Sequence, residues 1–307
     1  MKTMGIAKLG WIKQTFKLKG SVIPAVMPRA IACGSFGVII SFLYARGWIQ
    51  AWPILGNVVP SIVLGLLLVF RTNTAYDRFW EGRKAWGVLV NTVRNLTRRI
   101  WVFVEENEPG DRIHKQEVLH LILAFAIATK LHLRQEPLNE EVLEWVGDRP
   151  PSALQDAPNA PLKIAFWIED YLQQQYQLKR VDLYQITTMN ALLDKLVDSL
   201  GTCERILKTP IPMAYVIHLK QLLLIYCLLL PLQLTGEIGY WTGPIVGLVS
   251  FTLFGIEEIG IEIENPFGRD HNDLPLDAIC NTMGQNLEHL MTQTPSAYRD
   301  IDPIRNL

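Results

Sequence analysis

His218 and Lys220 stand inside an otherwise apolar run, residues 212–234 (PMAYVIHLKQLLLIYCLLLPLQL). Charge is costly in hydrocarbon, so an ionisable group at membrane depth is a functional hypothesis by default. The competing reading is that both lie near one end of the run and snorkel to water. Glu257, Glu258, Glu262 and Glu264 follow a second apolar run and mark a return to water. A proton-coupled transporter or a membrane-bound enzyme could use such a set. No nucleophile–base pair, phosphate-cradling glycine loop, metal-ligand spacing or inverted repeat accompanies it. No catalytic, cofactor-binding or metal-binding residue is therefore assigned, and no cofactor is expected.

The remaining reactive side chains point the same way. Cys33, Cys203, Cys227 and Cys280 form no CxxC pair, and two of them fall in apolar blocks, which argues against a disulfide framework or a zinc site. The six histidines form no HExxH motif. His120 and His132 lie on an apolar segment, where a hydrogen-bonded structural role is the simpler reading.

A different kind of chemistry is suggested by Ile62, Leu66 and Phe70, which recur every four residues and so share one face of a helix. Within a uniformly apolar segment this spacing fits lipid or helix contacts as well as a special role. The stripe lies in residues 53–87, around which the chain is organised. Residues 53–70 carry no charge and are about long enough to cross a bilayer's hydrocarbon core. Residues 71–87 turn charged and aromatic at once, with no Gly or Pro in the ten residues after Phe70. One continuous helix is expected, leaving the membrane at Arg71, with Tyr76, Phe79 and Trp80 near the interface.

The 307 residues are 49% hydrophobic and 19% charged, with a formal net charge of −1. That balance lacks the basic face a nucleic-acid partner requires. Residues 1–20 interleave lysines with Trp11, Ile12 and Phe16 and read as a basic amphipathic segment on the inner membrane surface, with no secretory signal. Four spans are expected, near residues 30–48, 53–70, 212–234 and 242–256, with Arg29 at the entrance of the first. Gly34, Ser35 and Gly37 would give that first span a small face for close helix contact. Residues 112–134 are read as a buried core helix, too short and too flanked by charge to span. A Pro-rich loop over 147–161 and helices near 161–176, 183–207 and up to Met291 complete an all-α reading; no strand pattern persists.

The segments follow: 1–29 interfacial, 30–70 spans one and two, 71–210 a cytoplasmic helical region, 211–258 spans three and four, and 259–307 a C-terminal cytoplasmic segment. Lysine and arginine cluster in the N-terminal flank and after Phe70, while the turns at 45–52 and 235–241 hold only Arg46. This bias places both termini and the large helical region in the cytoplasm, as a multi-pass protein of the inner membrane.

The stretches FRTNTAYDRFWEGRKAWG (70–87), CERILKTPIPMAY (203–215) and ENPFGRDHNDLPLDAICNT (264–282) resemble the bestrophin family, in the order of its bacterial members and over essentially the whole chain. The resemblance implies a homopentameric ion channel in membrane lipid, its single pore lined by the second helix of each subunit. Permeant monovalent ions would then be its partners. By position, Ile62, Leu66 and Phe70 would form a hydrophobic pore neck, and a cytoplasmic aperture would fall near Leu183, Tyr184 or Ile186. Animal members bind calcium in an acidic run that here reads Arg269, Asp270, His271, Asn272, Asp273. Calcium wants about six to eight oxygen ligands, so Asp270 and Asp273 read better as helix caps or surface charges. Chloride is slightly favoured as the permeant ion. A sodium-selective channel of the same fold, a coupled transporter and a membrane scaffold remain alternatives.

Overall fold

The computed structural model describes residues 17–52, 59–147 and 149–295. The basic segment read over residues 1–20 therefore lies almost wholly outside the described residues, as do residues 53–58 at the start of the second span. Ten α-helices are described: α1 (Ile23–Ala45), α2 (Val59–Phe103), α3 (Asp111–Arg134), α4 (Glu140–Val146), α5 (Pro151–Gln155), α6 (Ala160–Gln177), α7 (Leu183–Lys208), α8 (Met213–Ile238), α9 (Thr242–Glu262) and α10 (Leu276–Met291). No strand occurs among the described residues.

The chain divides into two compact units, residues 1–79 with 210–273, and residues 80–209 with 274–307. In the first unit, α1 begins well before the expected residue 30, because Pro24 occupies its first turn, where a missing N–H is no loss. Arg29 is thus on the helix, and its guanidinium donates to Glu258 at 2.8 Å. Helix α1 packs against α9 through glycines. A Cβ on Gly37 would stand 3.1 Å from the Gly243 Cα, and one on Gly34 would stand 3.3 Å from the Gly247 Cα. Ser35, expected on this small face, is exposed. Ser41 takes its place one turn after Gly37, and its hydroxyl reaches the carbonyls of Gly37 and Gly239 at 2.9 and 3.0 Å. Behind this seam Leu64, Leu68, Leu219, Leu223, Cys227 and Val246 form the apolar core.

In the second unit α3 is the centre, packed by α4, α6, α7 and α10. At 24 residues it is long and apolar enough to span, so length does not exclude it as the sequence suggested. Burial does: 78% of its apolar window is buried, against 33% or less for the other apolar stretches. Two lysines are buried along it and each finds carboxylates. Lys115 meets Glu106 at 2.7 Å, and Lys130 meets Glu141 and Asp277 at 2.8 and 2.9 Å. The expected Pro-rich loop holds the short helix α5, started by Pro151. Asn159 caps α6, and Asp182 caps α7 in a reciprocal box with Gln185.

Four helical stretches therefore remain for a bilayer: α1, the apolar start of α2, α8 and α9. The last two are separated by a 3₁₀ turn, Gly239–Trp241.

Candidate functional site

Helix α2 runs 45 residues without a break, as the absence of Gly and Pro after Phe70 suggested. Its apolar start divides into two opposed stripes. Leu64, Leu68, Arg71 and Ala75 are at most 4% exposed and face the core of the first unit. Ile62, Leu66 and Phe70 are 55%, 52% and 61% exposed. At 3.6 residues per turn the two stripes lie about 180° apart on the helix. Val63 and Val69 are also exposed, so exposure marks a face rather than three isolated residues.

The buried stripe is held by polar bonds as well as packing. Arg71, which the sequence placed at the exit to water, is 1% exposed. Its Nη2 donates to Glu264 Oε2 at 2.6 Å. The other oxygen of Glu264 accepts the Ile211 amide at 3.1 Å, and its backbone carbonyl accepts from Arg78 Nε at 3.3 Å. The Arg71 side chain packs against Gly260, where a Cβ would sit 3.4 Å from Arg71 Cγ, in ordinary contact. Higher on the helix the Tyr215 hydroxyl donates to the Leu67 carbonyl at 2.7 Å. These contacts fix the rotation of α2, and that rotation turns Ile62, Leu66 and Phe70 outward. The sequence contained both charges of the Arg71–Glu264 pair but no signal that joined them.

One ion pair joins α8 to α9, Lys220 with Glu257. Glu257 belongs to α9 and is buried, a correction to its reading as a water-side residue. Lys220 Nζ lies 3.8 Å from its carboxylate and Arg29 lies 4.0 Å from it. Lys220 and His218 are both exposed. His132, read as structural, bonds Glu204 at 2.7 Å, and His120 stacks edge-on against Trp145.

Of the three aperture candidates at the start of α7, Leu183 and Tyr184 are exposed. Ile186 is 5% exposed and belongs to the core, so its side chain is not free to line an opening. Near the acidic run, Asp273 Oδ2 accepts the Asp270 amide at 2.7 Å, and Asn272 donates to Glu262 at 2.9 Å. The run is a folded turn that uses its carboxylate internally.

Residues 6–289 match the family model for bacterial and fungal bestrophin proteins. The chain belongs to the bestrophin family. Among its relatives, a voltage-dependent anion channel-forming protein of Nostoc sp. is 60% identical over 293 residues, 95% of each chain. A protein of the same description from Escherichia coli is 29% identical over 277 residues, 89% of each chain. Among solved bestrophin structures, a bacterial homolog from Klebsiella pneumoniae is 25% identical. It matches with a TM-score of 0.79 over 89% of this chain and all of that one.

Proposed function

We propose that five copies of this bestrophin form a ring in the inner membrane and pass small monovalent ions passively, anions favoured, through one axial pore. The reading is carried by the opposition of the two α2 stripes. One face is committed to its own subunit by the Arg71–Glu264 pair and the leucine core, leaving the Ile62–Leu66–Phe70 face apolar and outward. A single helix face cannot enclose water, so conduction requires symmetric copies. Five such faces would stack apolar rings, which restrict ions by dewetting without a charged gate. Leu183 and Tyr184 are proposed for a second constriction on the cytoplasmic side. The names of the Nostoc and E. coli relatives support anions as the permeant species. The lysine and arginine bias supports cytoplasmic termini, with residues 71–210 and 259–307 on that side.

Calcium is not the opening stimulus in this reading, because Arg269 and His271 interrupt the acidic run and Asp273 is engaged by the Asp270 amide. Flux that rises with micromolar calcium would contradict that point.

Ion flux from liposomes holding the purified protein tests the proposal. A chloride gradient should collapse without a coupled proton or sodium gradient. Flux that appears only with a second gradient would make the protein a coupled transporter, and no flux at all would make it a scaffold. A native mass of a monomer or dimer in detergent would remove the pore.

A further inference from the structure

The outward stripe of α2 does not stop at Phe70. Asn73 and Asp77 are exposed and continue the same phase. At 100° per residue, Ile62, Leu66, Phe70, Asn73 and Asp77 fall within an arc of about 80°. The buried residues Leu64, Leu68, Arg71 and Ala75 keep to the opposite arc over the same length. Asp77 makes no hydrogen bond or ion pair among the described residues. Its neighbour Arg78 points another way, toward the Glu264 carbonyl. The next charge in phase is Lys84, seven residues on, whose ammonium lies 5.8 Å from the centroid of the Trp80 ring.

From this placement we infer that Asp77 is a selectivity-determining residue, the first charge an ion meets beyond Phe70, and that its carboxylates admit cations and hold back anions. The inference rests on the pentameric reading above, in which each residue of the stripe becomes a ring of five. Seven residues of helix separate Phe70 from Asp77 by about 10 Å. That is close to the Debye length of about 8–10 Å at physiological salt, so the ring is felt at the neck but partly screened. Asn73, between them, offers an uncharged amide whose N–H can donate to an anion and whose oxygen can coordinate a cation. Apolar rings cannot choose the sign of an ion. Selectivity must therefore come from charge beside them, and Asp77 is the nearest unpaired charge on this face. The consequence is a channel whose anion preference, set by charges elsewhere on the ion path, is weaker than it would be without Asp77.

The test is the reversal potential across a planar bilayer under a sodium chloride gradient, with Phe70→Ala measured in parallel. Five charges at about 10 Å, screened over one Debye length, correspond to about a threefold change in permeability for each ion, in opposite directions for chloride and sodium, and so to about tenfold in their ratio. Asp77→Asn should raise the chloride-to-sodium permeability ratio by about that factor. Asp77→Lys should raise it further, and Asp77→Glu should keep the wild-type ratio. Higher salt should shrink the differences. If Phe70→Ala raises conductance while the three Asp77 variants share one reversal potential, the pore stands and Asp77 is not on it. If Phe70→Ala also changes nothing, the pore reading falls and this inference falls with it.

Discussion

Arg71 and Glu264 meet at 2.6 Å, with the arginine side chain 1% exposed and the carboxylate also held by the Ile211 amide. The pair sits on the side of α2 opposite the proposed neck and ties α2 to the segment just after α9. Removing one partner of a buried pair leaves an uncompensated charge and costs about 3–5 kcal/mol. Arg71→Ala should therefore lower the unfolding temperature of the detergent-solubilised protein markedly. The double change Arg71→Met with Glu264→Gln should recover part of the loss, since replacing both partners costs less than orphaning one. An unchanged unfolding temperature in Arg71→Ala would show that the pair does not hold the helix.

The glycine seam between α1 and α9 gives a second prediction. The Gly37 Cβ position is 3.1 Å from the Gly243 Cα, tighter than most real Cβ contacts and against backbone. Gly37→Val should force the two helices apart and cost about 1–3 kcal/mol, as overpacking does elsewhere. Ser35→Val, on the exposed side of the same helix, should leave stability within about 0.5 kcal/mol. Equal effects from the two would dissolve the seam.

Acid sensitivity of the second unit should trace in part to Asp111. Burial pushes its carboxyl up, but the amides of Glu108 and Asn107 and the guanidinium of Arg180 at 2.9 Å outweigh burial and hold it below 3.8. A carboxyl depressed by folding contributes stability above its unfolded value and loses it as pH falls through the folded value. The gap in unfolding temperature between wild type and Asp111→Asn should be constant near neutral pH. It should begin to close near 3.8 and shrink further below that value. A gap that stays constant to low pH would mean that Asp111 is not titrating as its surroundings require.

How far the sequence could be read follows from which forces act locally. The change from an apolar run to a charged one without a Gly or Pro made the long α2 legible, and the expected helix near 183–207 and the expected end at Met291 match α7 and the end of α10. The small face of α1 was legible in kind, through Gly34 and Gly37, yet Ser35 was misassigned because spacing alone does not fix helix rotation. The reading of α3 as a core helix was right for a wrong reason: what distinguishes it is its burial, a property of the packed unit. Arg71 and Glu257 looked like water-side charges because their partners, Glu264 and Lys220, are distant in the chain. Long-range ion pairs leave no local pattern. The neck stripe carried little weight by periodicity, since every residue around it was also apolar.

At the start of α7 the three candidate residues should separate by role. Ile186 is buried, so Ile186→Ala should destabilise the protein by about 2–5 kcal/mol. Leu183→Ala and Tyr184→Ala change exposed side chains and should alter stability by no more than about 0.5 kcal/mol. If these two side chains border the ion path, their removal should change the relative flux of large and small anions. Liposome flux of chloride against a bulkier anion decides this. An unchanged size preference in both variants would move the aperture elsewhere.

The central claim is that Ile62, Leu66 and Phe70 form the neck, and single-channel conductance in a planar bilayer tests it most directly. Replacing all three with Ala widens the ring, lets it hold water and lowers the barrier, at about tenfold in rate for each 1.36 kcal/mol removed. The account predicts a conductance well above wild type in the triple variant. Leu67→Ala, on a different and partly buried side of the same helix, should stay near the wild-type value. A triple variant with unchanged conductance, or a Leu67→Ala channel that opens as widely, would contradict it.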